Sequence, residues 1–214
     1  MRWRLDEERA AFVDSVRDAL AKAEDGWAVF EDIGGVELDD IEVALLAEEA
    51  GRACVPGPVV ETIAGEDPDR RAFAAAAYLV GLAQAMLDMA VQYAGFREQF
   101  GRAIGSFQAL RNPLADVATG IAHARPTVLA AAWALAAKSE DRGVRCSAAK
   151  VLASQAAERC ARVALQTHGA MGYTTEHQLH RWLNRTWRMS RAFGDPAFHR
   201  RRIGAVILRR QETT

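Results

Sequence analysis

At 214 residues, half of them hydrophobic and 26% charged, the chain is long enough for a sizeable core and too apolar to be largely disordered. Its 27 Lys and Arg against 28 Asp and Glu give a net charge of −1, which excludes a general affinity for nucleic acid, since neutralising many phosphates requires a cationic excess. The alanine-rich apolar runs, interrupted by Arg and Glu, with Gly and Pro confined to a few places, predict an all-α protein.

Leu5, Phe12, Val16 and Leu20 recur at helical steps and predict an amphipathic helix starting near Asp6, broken at Gly34 and Gly35. A second helix is expected from about Asp39, with Ile41, Leu45, Leu46 and Ala50 on one side, ending at Gly51 before the turn-rich stretch Val55 to Pro58. The polar joint from Gly65 to Asp69 divides the chain into a short helical segment, 1–64, and a bundle, 65–214. Arg70 to Phe96 reads as one long, close-packed helix. Ser106 is the expected N-cap of the next, which Pro113 and Pro126 should kink or interrupt. The pattern resumes through Trp133 and Leu135 to Lys138, pauses at Asp141 to Gly143 and runs again from Ser147 to Thr167. Long helices with short joints make an up-and-down four-helix bundle, and no strand of useful length is expected.

The last stretch, with Arg181, Arg185, Arg188, Arg191 and Arg200 to Arg202, is basic, while the first third is acidic. That asymmetry fits either an anionic partner or solvated faces that balance one another. Cys54, Cys146 and Cys160 lie far apart without C-x-x-C spacing, and an odd count fits a reducing cytoplasm. The charged N-terminus and the lack of an uninterrupted apolar stretch of about 18 residues point away from export and from the membrane.

Two blocks carry chemistry. Tyr93-Ala-Gly-Phe-Arg97-Glu-Gln99-Phe100-Gly101-Arg-Ala-Ile104-Gly105-Ser-Phe107-Gln108 resembles the acyl-CoA dehydrogenase pattern Tyr-x-x-x-Arg-x-Gln-Phe-Gly-x-x-Ile-x-x-Phe-Gln. Gln166-Thr-His168-Gly169-Ala-Met-Gly172-Tyr173-Thr-Thr-Glu176-His177-Gln-Leu179-His180 is similar to that family's Gln-x-His-Gly-Gly-x-Gly-Tyr-Thr-x-Glu-His-x-Leu-His, with Ala170 in place of a second glycine. The variant with His after Gln resembles bacterial dehydrogenases of steroid-derived or other bulky CoA thioesters. The N-terminal stretches Leu5 to Asp18 and Val43 to Pro58 resemble the family more loosely.

The resemblance implies a bundle of acyl-CoA dehydrogenase type and an FAD cofactor. Arg97 would meet its pyrophosphate, as a planar, permanently charged fork of donors suits phosphate oxygens. Gln99, Phe100, Phe107, Gln108, Gln166, Gly169 and Gly172 join it as expected cofactor contacts. Family members carry a β-domain between the N-terminal helices and the bundle. Here Pro58 is followed within a few residues by Gly65, so that domain has no room. Desaturation also needs a carboxylate for the α-proton. Gly194 occupies one place where the family has that Glu, and Arg71 falls at or near the other. Asp69, Asp195, His168 and His177 are weak replacement candidates; no third ligand accompanies the histidines, so no metal is expected.

Three readings follow. The chain is a subunit that lends FAD contacts to a full-length acyl-CoA dehydrogenase-like partner oxidising a CoA thioester. Alternatively it is a repurposed non-redox enzyme acting on a thioester or polyketide-like substrate, or a non-catalytic homo-oligomeric scaffold.

Overall fold

Pro68 supplies a pre-set φ where a helix has no use for its first N–H, and the Asp67 carboxylate accepts from the amides of Asp69 and Arg70. The long central helix, α5, therefore begins two residues earlier than its apolar pattern suggests and runs Pro68–Phe96. A computed structural model describes residues 6–23, 26–33 and 38–212. Before α5 come α1 (Glu7–Lys22), α2 (Gly26–Ile33), α3 (Asp40–Arg52) and α4 (Val59–Ala64). After it come α6 (Gln108–Ala136), α7 (Arg142–His168), α8 (Leu179–Arg191) and α9 (Pro196–Glu212).

The all-α architecture holds, and α5 to α8 form the bundle with α9 packed on α7. Several details differ from the sequence reading. The short helices α2 and α4 were not expected, and two-residue strands, Glu98–Gln99 and Arg102–Ala103, pair antiparallel. Ser106 does not cap α6: its hydroxyl donates to the Ala103 carbonyl at 2.7 Å, and Phe107 holds the cap position without a side-chain bond. Neither proline interrupts α6. Pro113 lies in its second turn, and Pro126 is exposed, where water can take the carbonyl its ring leaves unpaired. The expected break at Gly34 and Gly35 lies outside the described residues.

The N-terminal segment and the bundle share one hydrophobic core. Two glycines bring α3 and α5 into backbone contact. A Cβ on Gly51 would stand 2.0 Å from the Tyr78 carbonyl oxygen, and one on Gly81 would stand 1.9 Å from that of Glu48. Further out, the Val55 carbonyl accepts from the Tyr78 hydroxyl and from Arg185 of α8, both at 2.9 Å.

Contrary to the sequence reading, α5 is long and apolar enough to cross a membrane, but 72% of its apolar window is buried inside the fold, the mark of a core helix. All three cysteines are buried and free.

Candidate functional site at one end of the bundle

Helices α5 and α7 run parallel, so their C-terminal ends meet. Tyr93 of α5 stacks on His168 of α7 with ring centroids 4.6 Å apart, which brings the two sequence blocks together. Past Phe96 the chain leaves the helix at Arg97 and turns back through Phe100 (φ 55°) and Gly101 (φ 77°), a two-residue hairpin loop of the left-handed kind. The Ile104 amide donates to the Arg97 carbonyl at 2.8 Å and closes the hairpin. A Cβ on Gly105 would lie 2.9 Å from the Ala94 carbonyl, so this glycine lets the following turn press onto α5.

Arg97 projects from this platform exposed, and its guanidinium makes no hydrogen bond or ion pair among the described residues. Other arginines, including Arg17, Arg125 and Arg202, do have carboxylate partners. The same end of the bundle carries exposed apolar groups. Phe96, Phe100 and Tyr173 are 66%, 92% and 76% accessible. Phe107, meeting Phe100 edge-on, carries the Arg102 guanidinium 4.0 Å above its ring. Gln99 bonds locally to the Glu98 carbonyl, while Gln108 and Gln166 are exposed.

The second block is more closed. His168 is buried, bonds through Nδ1 to the Ala164 carbonyl at 2.7 Å and faces His177 with centroids 4.6 Å apart. Burial pushes its pKa down, so it is neutral at neutral pH with its proton on Nδ1. His177 accepts through Nδ1 from the amide of Leu179, the first residue of α8, at 3.2 Å. The two glycines differ. Gly169 (φ 58°) ends α7 and a Cβ there would meet nothing within 4 Å, whereas a Cβ on Gly172 would press on His168 and Leu165 at 3.1 Å. Gly172 thus serves internal packing, and the open approach belongs to Gly169. Among the described residues no His, Cys, Asp and Glu cluster could hold a metal ion.

Asp69, Arg71, Gly194 and Asp195 stand at the other end. With 29 residues α5 is about 44 Å long, and Asp69 and Arg97 sit at its opposite termini. Asp69 is held by both terminal nitrogens of Arg202, one at 3.0 Å. Asp195 accepts from the Phe198 amide at 2.7 Å and caps α9, a bond that holds its carboxyl below the usual range. Each carboxylate thus has a partner within the chain.

Arg71 and Gly194, the two places where a Glu was sought, line the same cavity of about 340 Å³ with Phe193, His199 and Glu66. Glu66, the carboxylate lining it, carries no sequence signal. Nor does Lys150, which is fully buried on α7 and donates to the carbonyls of Met189 and Ser190 at 3.0 Å and of Gly194 at 3.2 Å. It holds together the end of α8 and the turn into α9.

A family model described as "Acyl-CoA dehydrogenase, C-terminal domain" matches residues 68–208, from the first residue of α5 almost to the end of α9. The chain belongs to the acyl-CoA dehydrogenase family. Acyl-CoA dehydrogenase IpdE2 of Mycobacterium tuberculosis is 35% identical over 139 residues, covering 65% of this chain and 42% of the relative. Glutaryl-CoA dehydrogenase of Desulfococcus multivorans is 43% identical over 111 residues, 50% of this chain and 28% of its own length. The chain thus spans less than half the length of these acyl-CoA dehydrogenases. Among solved structures, butyryl-CoA dehydrogenase from Megasphaera elsdenii superposes with a TM-score of 0.63 at 28% identity over 70% of this chain and 38% of that one. A chain of the Tcur3481-Tcur3483 steroid ACAD matches with a TM-score of 0.84, covering 98% of this chain and all of the other. At 16% identity that match speaks to fold alone. Members of the acyl-CoA dehydrogenase family are FAD-dependent oxidoreductases.

Proposed function

We propose that this chain is a subunit of a hetero-oligomeric acyl-CoA dehydrogenase and lends its Arg97 end to an FAD whose reacting ring is held by a full-length partner. The observation that carries the proposal is Arg97 itself: an exposed, unpartnered guanidinium at the end of the bundle where Phe96, Phe100 and Tyr173 are also exposed. It lies a whole helix length, about 44 Å, from the cavity at the Arg71 and Gly194 end. That span exceeds the reach of one extended FAD, so the two ends of this chain do not serve the same cofactor molecule.

The residues fit the pyrophosphate half of FAD. Arg97 would pair with it, and the backbone at Gly169, with open space beside its Cα, would allow close approach. Gln99, Phe100, Phe107, Gln108 and Gln166 would border it, while Gly172 supports the Gly169 turn from behind. The chemistry that FAD would supply in the complex is acceptance of a hydride from the β-carbon of the CoA thioester. This chain holds the anionic end and covers apolar surface. In this reading α1 to α4 are a reduced helical segment packed on the bundle, and the setting is a reducing cytoplasm, in keeping with three buried free thiols. Assembly with a second subunit, as against a homo-oligomeric scaffold, fits a chain that spans less than half the length of its acyl-CoA dehydrogenase relatives. Catalysis by this chain alone has less support, because Asp69 and Asp195 are engaged and lie a helix away from His168 and His177.

The test is co-purification with a full-length acyl-CoA dehydrogenase subunit and measurement of visible flavin absorbance and thioester-dependent dye reduction. Arg97→Ala should weaken flavin retention in the complex by about 1–3 kcal/mol, the loss expected for charged hydrogen bonds. Failure of the chain to bind the partner, or flavin retention indifferent to Arg97→Ala, would overturn the proposal.

A further inference from the structure

Between α7 and α8 the chain crosses the end of the bundle in the turn 169–178. Two imidazoles hold it there. His168, the last residue of α7, is buried and donates through Nδ1 to the Ala164 carbonyl at 2.7 Å. Its ring stacks on Tyr93 of α5 and also meets His177 of the turn, each with centroids 4.6 Å apart. Gly172 fits against it from within the turn, since a Cβ there would come within 3.1 Å of the His168 Cβ. His177 accepts through Nδ1 from the amide of Leu179, where α8 begins, and its carbonyl accepts from Nδ1 of His180 on α8 at 2.8 Å. Helix α5, helix α7, the turn and helix α8 therefore converge on one pair of rings.

Both rings serve in their neutral forms. Nδ1 of His177 accepts a hydrogen bond, so a proton on that nitrogen would set two donors against each other and release the Leu179 amide. His168 already carries its proton on Nδ1, so a second must go to Nε2 and charge a buried ring beside another imidazole. Tyr93 offers its π face to such a cation. Burial acts against the cation and is the largest influence on this ring; the Ala164 carbonyl works the other way, and His177 adds to the effect of burial. Tyr93 from α5 and His180 from α8 are the titratable groups that meet the pair from the neighbouring helices, and neither is a carboxylate. Among the described residues neither imidazole has an acidic partner, and Glu176, next to His177 in the chain, is exposed.

We propose that the His168–His177 pair is an acid-sensitive latch: with both rings neutral the turn 169–178 lies closed against Tyr93, and proton uptake frees the turn and the first residues of α8 from the bundle. The sign follows from burial. Once the turn lifts, His168 stands in water with the 6.5 of a free histidine, while under the closed turn the same ring binds its proton more weakly. As pH falls through 6.5 the open form takes up a proton that the closed form refuses, so closure is lost toward acid and is fully present above that pH. The latch belongs to the subunit by itself, whatever ligand or partner meets this end.

Hydrogen–deuterium exchange on the full chain tests this, read by peptide mass from about pH 7.5 to about pH 5 and corrected for the intrinsic pH dependence of amide exchange. Protection of residues 169–180 should fall by about tenfold or more over that range, while the middle of α5 keeps its own. The midpoint should coincide with the titration of the His168 and His177 Cε1–H resonances. Asparagine places an uncharged amide near where each Nδ1 stands, so the double variant His168→Asn, His177→Asn should stay closed throughout. If circular dichroism shows that variant unfolded, His177→Asn alone is read, and it should open at lower pH than wild type. Glu176→Gln should open as wild type does. The proposal is overturned by unchanged protection of the turn in acid, by α5 losing protection together with it, or by an opening midpoint at which neither histidine titrates. It is overturned equally if Glu176→Gln abolishes the opening, or if the folded asparagine variant keeps the pH dependence of wild type.

Discussion

The two ends of the bundle treat their polar groups in opposite ways. At the Lys150 end every charge considered above but the cavity-lining Glu66 has its partner within the chain: Asp69 has Arg202, Asp195 has the first turn of α9, and Arg71 donates to the Gly65 carbonyl. His199 bridges Ser147 and the Phe193 carbonyl, and Lys150 gathers three carbonyls. At the Arg97 end the guanidinium is unpartnered and three aromatic rings lie open to solvent. One end is finished inside the subunit and the other awaits something from outside it. The difference teaches where stability and assembly reside in this fold, because the same substitution types should cost folding free energy at the first end and only binding at the second.

The sharpest way to break the contrast is at Lys150. Lys150→Ala should destabilise the isolated chain by about 2–4 kcal/mol, since it leaves three carbonyls without a donor and opens a cavity under α8. Lys150→Met, which keeps the stem volume, should recover part of that loss. Chemical denaturation of each variant measures both.

A pH dependence follows from the same lysine. Burial pushes its pKa down to about 8 in the folded chain, from the 10.5 of a free lysine. Below pH 8 both states hold the proton and the lysine adds no pH dependence. Between pH 8 and 10.5 the unfolded chain keeps a proton that the folded chain has released, so folding becomes more favourable as pH rises, by up to ~3 kcal/mol over the window. Other groups titrate in that range, so the readout is the wild-type stability minus that of Lys150→Met at each pH. A difference that stays flat from pH 8 to 10.5 would show that the ammonium is not confined as described.

The motif at the open end was legible in the sequence because its signals are local. Arg97 and Phe107 lie within sixteen residues of fixed spacing, and the apolar period of α5 announces the helix that carries them, while the two-residue strands between them are too short to show an alternation. The closed end was legible only as candidates. Lys150 meets Gly194 across 44 positions and Asp69 meets Arg202 across 133, separations at which no periodicity survives. Glu48 meets Arg125 across 77 positions, so the ion pair that ties α3 to α6 was equally silent. The short helices α2 and α4 escaped for a different reason: eight and six residues are too few for a repeat to show, and packing rather than propensity holds them. The prolines of α6 were weighed by their intrinsic cost, which an exposed or early position in the helix relieves.

The smallest effect is the most telling for the open end. Phe100 holds a left-handed φ of 55°, a conformation in which a bulky side chain is strained, while its ring is almost wholly exposed and gains little from burial. Phe100→Gly should therefore stabilise the isolated chain by about 0.5–1 kcal/mol, because glycine adopts this φ without the Cβ penalty. In the complex with a full-length partner the same substitution should weaken association, since the ring is then removed from the surface it covers. Thermal melts of the free chain and titration of the partner read the two quantities separately. Opposite signs would mean that the strain at Phe100 is maintained for assembly. A loss of stability in the free chain would instead assign the ring to the fold through its edge contact with Phe107 and place the hairpin with the finished end of the bundle.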